Sequence, residues 1–201
     1  MVSPYFPPYS GGLEYHVLNL SRGLVWRGHE VTVVTSGART AFMDGVGVSS
    51  HGSLFKPLNN PIAPGMLFSL LSRKPDVIHC HGYFNFSSNL SFLAGKVRKI
   101  PVVCTFHGYT LFFRNFSRFM QRLYDNTLGP SMLKQLCAVI ALSNSDREAL
   151  ERLGAPLDKI KVITNGVDVK KFFPLNEWNQ SKNIVLYVGR LIPRKGVKYL
   201  L

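Results

Sequence analysis

The sequence predicts an α/β protein with a Rossmann-like, doubly wound and mainly parallel sheet, and three observations predict it. Short apolar runs rich in β-branched residues recur along the chain, and helical patterns lie between them. Each run is apolar throughout rather than alternating, which is typical of strands in a parallel sheet that is covered on both faces. Alternation of strands and helices then implies right-handed crossovers between parallel neighbours.

The expected strands are short. The first is confined to the residues before Pro4, so it is either unusually brief or begins upstream. The later strands are expected at 31–35, 76–80, 101–106, 138–142 and 161–163. Between the first and the second of these lies an irregular stretch, residues 36–60, whose Gly, Ser and Asn content indicates a hairpin or mobile loops.

The expected helices follow from apolar spacing. Leu13, Val17, Leu20 and Leu24 form one stripe on the first helix, which ends near residues 27–29. Further helices are expected over 62–71, 88–97, 111–124 and from a cap at Ser143 to Leu153.

Composition limits the class of protein. The chain has 201 residues, of which 46% are hydrophobic and 17% charged, as expected for a globular protein. No apolar run approaches the roughly 18–20 residues of a membrane span, and no signal-peptide pattern occurs. The three cysteines, Cys80, Cys104 and Cys137, lie in apolar surroundings and indicate buried, reduced thiols of a cytoplasmic protein.

The net charge of +13 predicts attraction to polyanions such as nucleic acid, anionic lipid or phosphorylated small molecules. The basic residues are concentrated between Lys96 and Lys134, where the only acidic residue is Asp125. Nucleic-acid binding rests on charge alone, because no RNA-binding or helix-turn-helix signature accompanies it, so we expect no nucleic-acid partner.

The end of the chain indicates a second domain. A run of apolar residues at 184–188 is followed by a Gly turn with two basic residues, which is typical of the opening of a βα unit. We therefore expect one complete domain over 1–163, a polar connector over 164–182 and the first step of a truncated domain over 183–201.

A glycine turn precedes the first helix. Gly11 and Gly12 lie where open α/β sheets bind ligands, and a helix N-terminus that follows glycines can bind a phosphate through free N–H groups. A tight turn without ligand is the plainer interpretation, because neither a Walker loop nor a G-x-G-x-x-G motif is present.

Histidines end two expected strands, at His79 and His81 in one and at His107 in the next. A metal site would need carboxylate or thiolate partners at defined spacing, and Cys80 points away from both of its neighbours on a strand, so no metal is expected. His107, which Gly108 follows, is the stronger active-site candidate, with a hydrogen-bonded core histidine as the alternative.

The expected helix at 111–124 has two faces. Arg114, Arg118 and Arg122 recur every four residues on one side, and the Phe and Leu residues lie mostly on the other. An ordinary amphipathic helix with its basic side in water is one interpretation. A basic face for anionic lipid or a phosphorylated acceptor is the other.

Six motifs occur in one order along essentially the whole chain. They are Phe6-Pro7-Pro8 with Gly11-Gly12 and Glu14, Arg27-Gly28-His29-Glu30-Val31, Pro75-Asp76-Val77-Ile78-His79, Thr105-Phe106-His107-Gly108, Asn165-Gly166-Val167-Asp168 with Phe172, and Val188-Gly189-Arg190-Leu191 with Lys195-Gly196. Each is weak by itself, but together they closely resemble the retaining GT-B glycosyltransferases of family 4, often called the glycosyltransferase group 1 family.

The resemblance implies two Rossmann-like domains that face a cleft, of which the first holds the acceptor and the second a sugar nucleotide. By position it assigns His107 to the reaction centre and Gly11 and Gly12 to the loop at the donor diphosphate. Arg190 and Lys195 match the cationic pair that binds the diphosphate. Fixed cations there can stabilise the negative charge that grows on the leaving group, so no bound metal is implied.

The resemblance also places the hinge at Asn165 and Gly166. From the strand-end histidines and the basic face of the helix at 111–124, we expect His81, Arg114 and Arg118 on the acceptor side. The expected partners are a sugar nucleotide, a sugar, lipid-linked or other hydroxyl acceptor, and the surface of an anionic membrane. The family's later Glu-x7-Glu motif does not occur in these residues. We therefore expect the 201 residues alone to bind acceptor without catalysing transfer, and a non-catalytic binding or partner module with the same fold is the alternative.

Overall fold

The computed structural model describes residues 1–37, 42–108, 115–173, 185–189, 191 and 195–200. It divides into two compact units, Met1–Asn165 and Gly166–Leu201. The boundary falls between the two residues that we expected to form the hinge.

The described part of the first unit contains seven named strands. They are β1 (Thr32–Ser36), β2 (Phe42–Met43), β3 (Val46–His51), β4 (Ile78–His81), β5 (Val102–Phe106), β6 (Ala138–Ala141) and β7 (Ile160–Val162). They form two sets in the orders β1-β3-β2 and β4-β5-β6-β7. Every pair is parallel except β2 with β3, so the sheet is mainly parallel, as predicted.

A single residue joins the two sets. Val2 forms parallel bridges with Val34 of β1 and with Cys80 of β4. Its N–H donates to the His79 carbonyl at 2.7 Å, and its own carbonyl accepts from the His81 N–H at 3.0 Å. The expected first strand is therefore present, but its hydrogen bonding is centred on one residue in the middle of the sheet.

Six helices are described, and they connect or follow the strands. They are α1 (Gly12–Trp26), α2 (Gly65–Ser72), α3 (Phe86–Arg98), α4 (Asn115–Asn126), α5 (Leu128–Gln135) and α6 (Asn144–Arg152). Ser143 caps α6, because its hydroxyl accepts from the Asp146 N–H at 3.1 Å, as predicted. None of these helices is long and apolar enough to cross a membrane.

The core lies on both faces of the sheet. Val33 packs in one cluster with Phe6, from the loop after Val2, and with Val17 of α1. Val34 packs in a larger cluster with Met66 of α2. Successive residues of a strand point to opposite faces. Burial of both neighbours therefore confirms the doubly wound arrangement that the uniformly apolar runs predicted.

The irregular segment after β1 contains a hairpin. β2 and β3 pair antiparallel, and Asp44 and Gly45 between them both have positive φ, 51° and 81°. Positive φ at both central residues is the geometry of a two-residue hairpin turn that matches the twist of the strands.

The packing of α4 differs from the amphipathic pattern. An ordinary amphipathic helix, the first of our two interpretations, would bury its Phe and Leu stripe, yet Phe116, Phe119 and Leu123 are 74%, 62% and 49% exposed. The buried side of the helix consists of Ser117, Gln121 and Tyr124. Tyr124 anchors this side, because its hydroxyl donates to the Tyr83 carbonyl at 3.1 Å.

Two smaller predictions also need correction. The residues Val185–Gly189 form no strand, and Val185, Leu186 and Val188 are at least 80% exposed. A parallel strand needs a neighbour for its hydrogen bonds, and the described residues of the second unit include none. Among the cysteines, Cys80 and Cys104 are buried as predicted, but Cys137 is exposed, because it precedes β6 at the opposite edge from the histidines.

Candidate functional site

The candidate site lies where β4 and β5 end. His81 is the last residue of β4, and His107 directly follows the last residue of β5. Gly82 and Gly108 come next, with φ of +89° and +81°. This left-handed conformation suits glycine and turns the chain sharply away from each strand, which leaves both histidines at the same sheet edge.

Three imidazole rings meet at this edge. His81 Nδ1 lies 3.2 Å from His107 Nε2. The His16 ring contacts both others edge-on, with centroids 4.8 Å from His107 and 5.5 Å from His81. We call these three residues the histidine cluster. His16 reaches it from the second turn of α1, because α1 begins at the same edge of the sheet as the strand ends.

His79 supports the cluster from within the sheet. Its ring stacks on His81 with centroids 4.4 Å apart, and its Nε2 lies 2.7 Å from Thr105 Oγ1 on β5. The two histidines lie on one face of β4, and Cys80 points to the other, as the alternation of a strand requires. Cys80 therefore cannot reach the cluster, as predicted.

Burial keeps these imidazoles neutral. Removal from water, with a smaller contribution from neighbouring positive charge, lowers the pKa of His107 to about 4 and that of His79 to about 3. The pKa of the fully buried His81 is lowered well below its usual value for the same reasons. A neutral imidazole keeps a lone pair, so it can accept a proton or a hydrogen bond from a hydroxyl group.

The ring of His16 has two distinct nitrogens. Nδ1 lies 2.8 Å from Asn165 Oδ1, which can only accept, so Nδ1 carries the proton. Nε2 of a neutral His16 is then an acceptor, and it is buried without a hydrogen-bond partner among the described residues. His81 Nε2 is likewise buried and unpartnered in that part of the chain.

The glycine turn lies at the start of α1. Gly11 is extended, with φ of −171°, and no side chain caps the helix, so the first N–H groups of α1 have no side-chain acceptor. A Cβ placed on Gly12 meets no atom within 4 Å, whereas one on Gly11 would lie 2.3 Å from a Glu14 carboxylate oxygen. The Glu14 carboxylate is the end of a flexible side chain that can move aside, so packing requires glycine at neither position, and open space lies in front of Gly12.

The loop that carries these glycines is held by aromatic contacts. Tyr5 and Tyr9 lie with ring centroids 4.9 Å apart, and Lys56 Nζ lies 5.8 and 5.9 Å from the two rings. The Tyr5 hydroxyl donates to Asn59 Oδ1 at 3.2 Å. These contacts fix the loop against residues 56–59 and so orient the entry to α1.

The structure brings only some of the predicted site residues together. His81, His107 and the entry to α1 lie at one edge of the first unit, and Arg118 is exposed on α4. Lys195 is exposed in the second unit. Arg114 and Arg190 lie outside the described residues.

His16 was not predicted as a site residue. It occupies a half-buried position of α1 next to the buried Val17 and has no motif of its own. The signal available was its spacing, since a residue one turn after Gly12 faces the same sheet edge as the glycine turn.

The profile of glycosyltransferase family 4 matches residues 10–171. The chain belongs to glycosyltransferase family 4. It is 29% identical over 234 residues to a glycosyltransferase of Methanocaldococcus jannaschii, covering 100% of this chain and 57% of that protein. It is 30% identical over 213 residues to the phosphatidyl-myo-inositol mannosyltransferase of Mycobacterium tuberculosis, covering 100% and 54%.

Solved structures have the same fold. The crystal structure of Anabaena HepE in complex with UDP and glucose is similar with a TM-score of 0.62 at 15% identity, over 84% of this chain and 45% of that one. This similarity confirms the predicted Rossmann-like half of a GT-B fold. The family 4 chain spans about half the length of the curated relatives it matches.

Proposed function

We propose that the full-length protein transfers a sugar from a nucleotide-diphosphate sugar to a hydroxyl acceptor with retention of configuration. The observation that carries this proposal is the meeting of the histidine cluster and the uncapped start of α1 at one sheet edge of a family 4 chain. Ligands of open α/β sheets bind at this edge.

The donor diphosphate is the natural ligand of the α1 N-terminus. Gly12 leaves open space there, and free N–H groups at the positive end of a helix attract phosphate. Arg190 and Lys195 supply the cations that stabilise the leaving diphosphate in the transition state. The complex of HepE with UDP and glucose supports a sugar nucleotide as donor.

His107 contacts the reacting groups in this proposal. Its imidazole is neutral at physiological pH because burial lowers its pKa to about 4, so it can exchange hydrogen bonds with a sugar hydroxyl. His81 orients it through the 3.2 Å contact between their rings and forms the acceptor side of the site. Because Arg190 and Lys195 meet the diphosphate charge, the transfer itself needs no bound metal.

A membrane-associated acceptor is favoured by the outer face of α4. Phe116, Phe119 and Leu123 form an exposed apolar stripe, and Arg118 and Arg122 form an exposed basic stripe beside it. Adjacent apolar and basic stripes suit the surface of an anionic bilayer, where a helix lies in the interface. The relative that is a phosphatidyl-myo-inositol mannosyltransferase supports a lipid-linked hydroxyl acceptor.

A cytoplasmic protein bound peripherally to a membrane follows from this proposal. The competing candidate is a non-catalytic acceptor-binding or partner module with the same fold. The one observation that agrees with this candidate is that the Glu-x7-Glu motif does not occur in these 201 residues.

The test is a transfer assay with the full-length protein, a panel of UDP- and GDP-sugars, and vesicles that contain phosphatidylinositol. We expect a glycolipid whose anomeric configuration, read by NMR, equals that of the donor, and its formation should survive EDTA. His107→Ala should abolish most transfer, whereas His29→Ala, at an exposed histidine outside the site, should not. Binding of acceptor without product from any donor would favour the module instead.

We expect the isolated 201-residue chain to bind acceptor but not to transfer sugar. Turnover by this chain at the rate of the full-length protein would show that the second unit needs no further residues for catalysis.

A further inference from the structure

We propose that the histidine cluster, His16, His81 and His107, is a binding site for a divalent transition-metal ion of the Zn²⁺ class. One nitrogen of each ring lies within 4.8 Å of the others. All three belong to the first unit, so the site is complete within residues Met1–Asn165. The proposal departs from our sequence-based expectation of no metal, which was made without His16. The ion is not a cofactor of the proposed sugar transfer.

The distances are close to those of a bound ion. Zinc binds histidine nitrogens at about 2.0–2.1 Å with tetrahedral angles, which places two such nitrogens about 3.3 Å apart. His81 Nδ1 and His107 Nε2 are already 3.2 Å apart. The three ligand atoms lie within 4.8 Å of one another, so His16 has to approach the other two by no more than about 1.5 Å.

The ring of His16 has its free lone pair on the required side. Its Nδ1 proton is committed to Asn165 Oδ1 at 2.8 Å, so Nε2 is the nitrogen left to coordinate. Metal-binding histidines commonly donate their other N–H to a carbonyl or carboxylate in this way, which fixes the tautomer and the orientation of the ring. Asn165 therefore has the position of a supporting residue behind a metal ligand.

Two buried nitrogens in the cluster also lack other partners. His16 Nε2 and His81 Nε2 make no hydrogen bond to the described residues, although neither is accessible to solvent. Buried polar atoms without a partner are uncommon in folded proteins and call for a ligand. A bound ion gives His16 Nε2 the partner that it lacks. It also replaces the hydrogen bond between His81 and His107 with one metal bond to each ring.

Three histidines leave one coordination position open, as in catalytic zinc sites. The proposed function places the acceptor hydroxyl at His107, which is one of these three ligands. An ion held there occupies His107 and blocks the acceptor, so the inference that zinc inhibits transfer rests on the proposed function. Binding of the ion does not.

The experiment is a titration of the full-length protein with Co²⁺, which stands in for Zn²⁺ and absorbs visible light strongly when four-coordinate, followed by displacement with Zn²⁺. We expect one ion per chain. Asn165→Ala should weaken binding by about 10–100-fold, as loss of a supporting residue does, and His16→Ala should weaken it by more than about 100-fold.

His29→Ala is the matched control, because His29 is an exposed histidine just past the end of α1. It should bind Co²⁺ as the wild type does. Circular dichroism of each variant establishes that the protein is folded. Equal affinity in the wild type and His16→Ala, or loss of binding in His29→Ala, would overturn the site. Neither result would bear on sugar transfer measured in EDTA.

Discussion

His16 Nδ1 donates a hydrogen bond to Asn165 Oδ1 over 2.8 Å. The bond connects α1 to the last residue of the first unit, next to Gly166 where the second unit begins. The same imidazole contacts the His107 ring. One side chain thus connects the candidate catalytic histidine to the boundary between the units.

A double-mutant cycle measures this connection. His16→Leu and Asn165→Ala should each destabilise the protein, and the double variant should be more stable than additivity predicts by about 0.5–1 kcal/mol, the usual net contribution of one hydrogen bond. Urea unfolding of the four proteins in EDTA gives the coupling. Additive effects would mean that the contact contributes nothing in solution.

Gly129 occupies a position in α5 where no side chain fits. A Cβ there would lie 1.8 Å from the hydroxyl oxygen of the buried Tyr83 and 2.7 Å from its Cζ. Gly129→Ala should therefore destabilise the protein by about 1–3 kcal/mol through overpacking. The free energy of unfolding, measured in urea, reports the change.

Gly23→Ala is the control for that substitution. Gly23 lies inside α1, and a Cβ there meets no atom within 4 Å. Alanine is favoured over glycine in a helix interior, so this variant should gain about 0.5–1 kcal/mol. If both variants changed stability in the same direction, close packing at Gly129 would not be the cause.

Gly12→Ala separates function from stability. The added Cβ meets no protein atom within 4 Å, so the free energy of unfolding should change by less than about 0.5 kcal/mol. A bound diphosphate would nevertheless meet it, and we expect kcat/KM for the sugar nucleotide to fall at least tenfold, a loss of about 1.4 kcal/mol. Steady-state kinetics of the full-length protein decide the point.

Gly52→Ala provides the comparison, because Gly52 is also free of neighbours within 4 Å but lies outside the α1 entry. Its kinetics should match those of the wild type. Unchanged kinetics in Gly12→Ala would show that the diphosphate does not bind at the N-terminus of α1.

The outer face of α4 predicts binding to anionic vesicles. Replacing Arg118 and Arg122 with Gln should weaken binding by about 30-fold, since each basic residue near an anionic surface contributes about 1 kcal/mol. Phe116→Ser with Phe119→Ser should also weaken it, because both rings leave water on binding. Sedimentation with phosphatidylglycerol vesicles measures both effects.

Phe68 is a suitable control for the aromatic pair, because it is 74% exposed but belongs to α2. Phe68→Ser should bind vesicles normally. A similar loss in this variant would indicate general hydrophobic adsorption rather than a specific face.

Much of the fold could be predicted because local patterns determine it. The apolar runs at β4 to β6 specify strands covered on both faces, and the ends of β4 and β5 located His81 and His107. The outward stripe of α4 could not be predicted, since spacing identifies a stripe but not the side that packs. Which side packs depends on Tyr83, which is far away in sequence and whose carbonyl accepts a hydrogen bond from the Tyr124 hydroxyl.

His16 was missed for a related reason. It lies near His81 and His107 because α1 begins at the sheet edge where β4 and β5 end, and no local period encodes such a meeting. The strand expected at 184–188 is absent from its described residues, 185–188, for a different reason. Its residues have strand propensity, but propensity without a pairing neighbour does not form a strand.

The bridge at Val2 has a consequence for biosynthesis. One of its two partners, Cys80, is made only after the ribosome has added residues 3–79. At about 5–20 residues per second, the edge that later pairs with β4 stays without its partner for several seconds, although Val2, β1 and β3 can already pair. During that interval this edge is open to other chains, so expression of this protein should depend on chaperones that shield nascent strands.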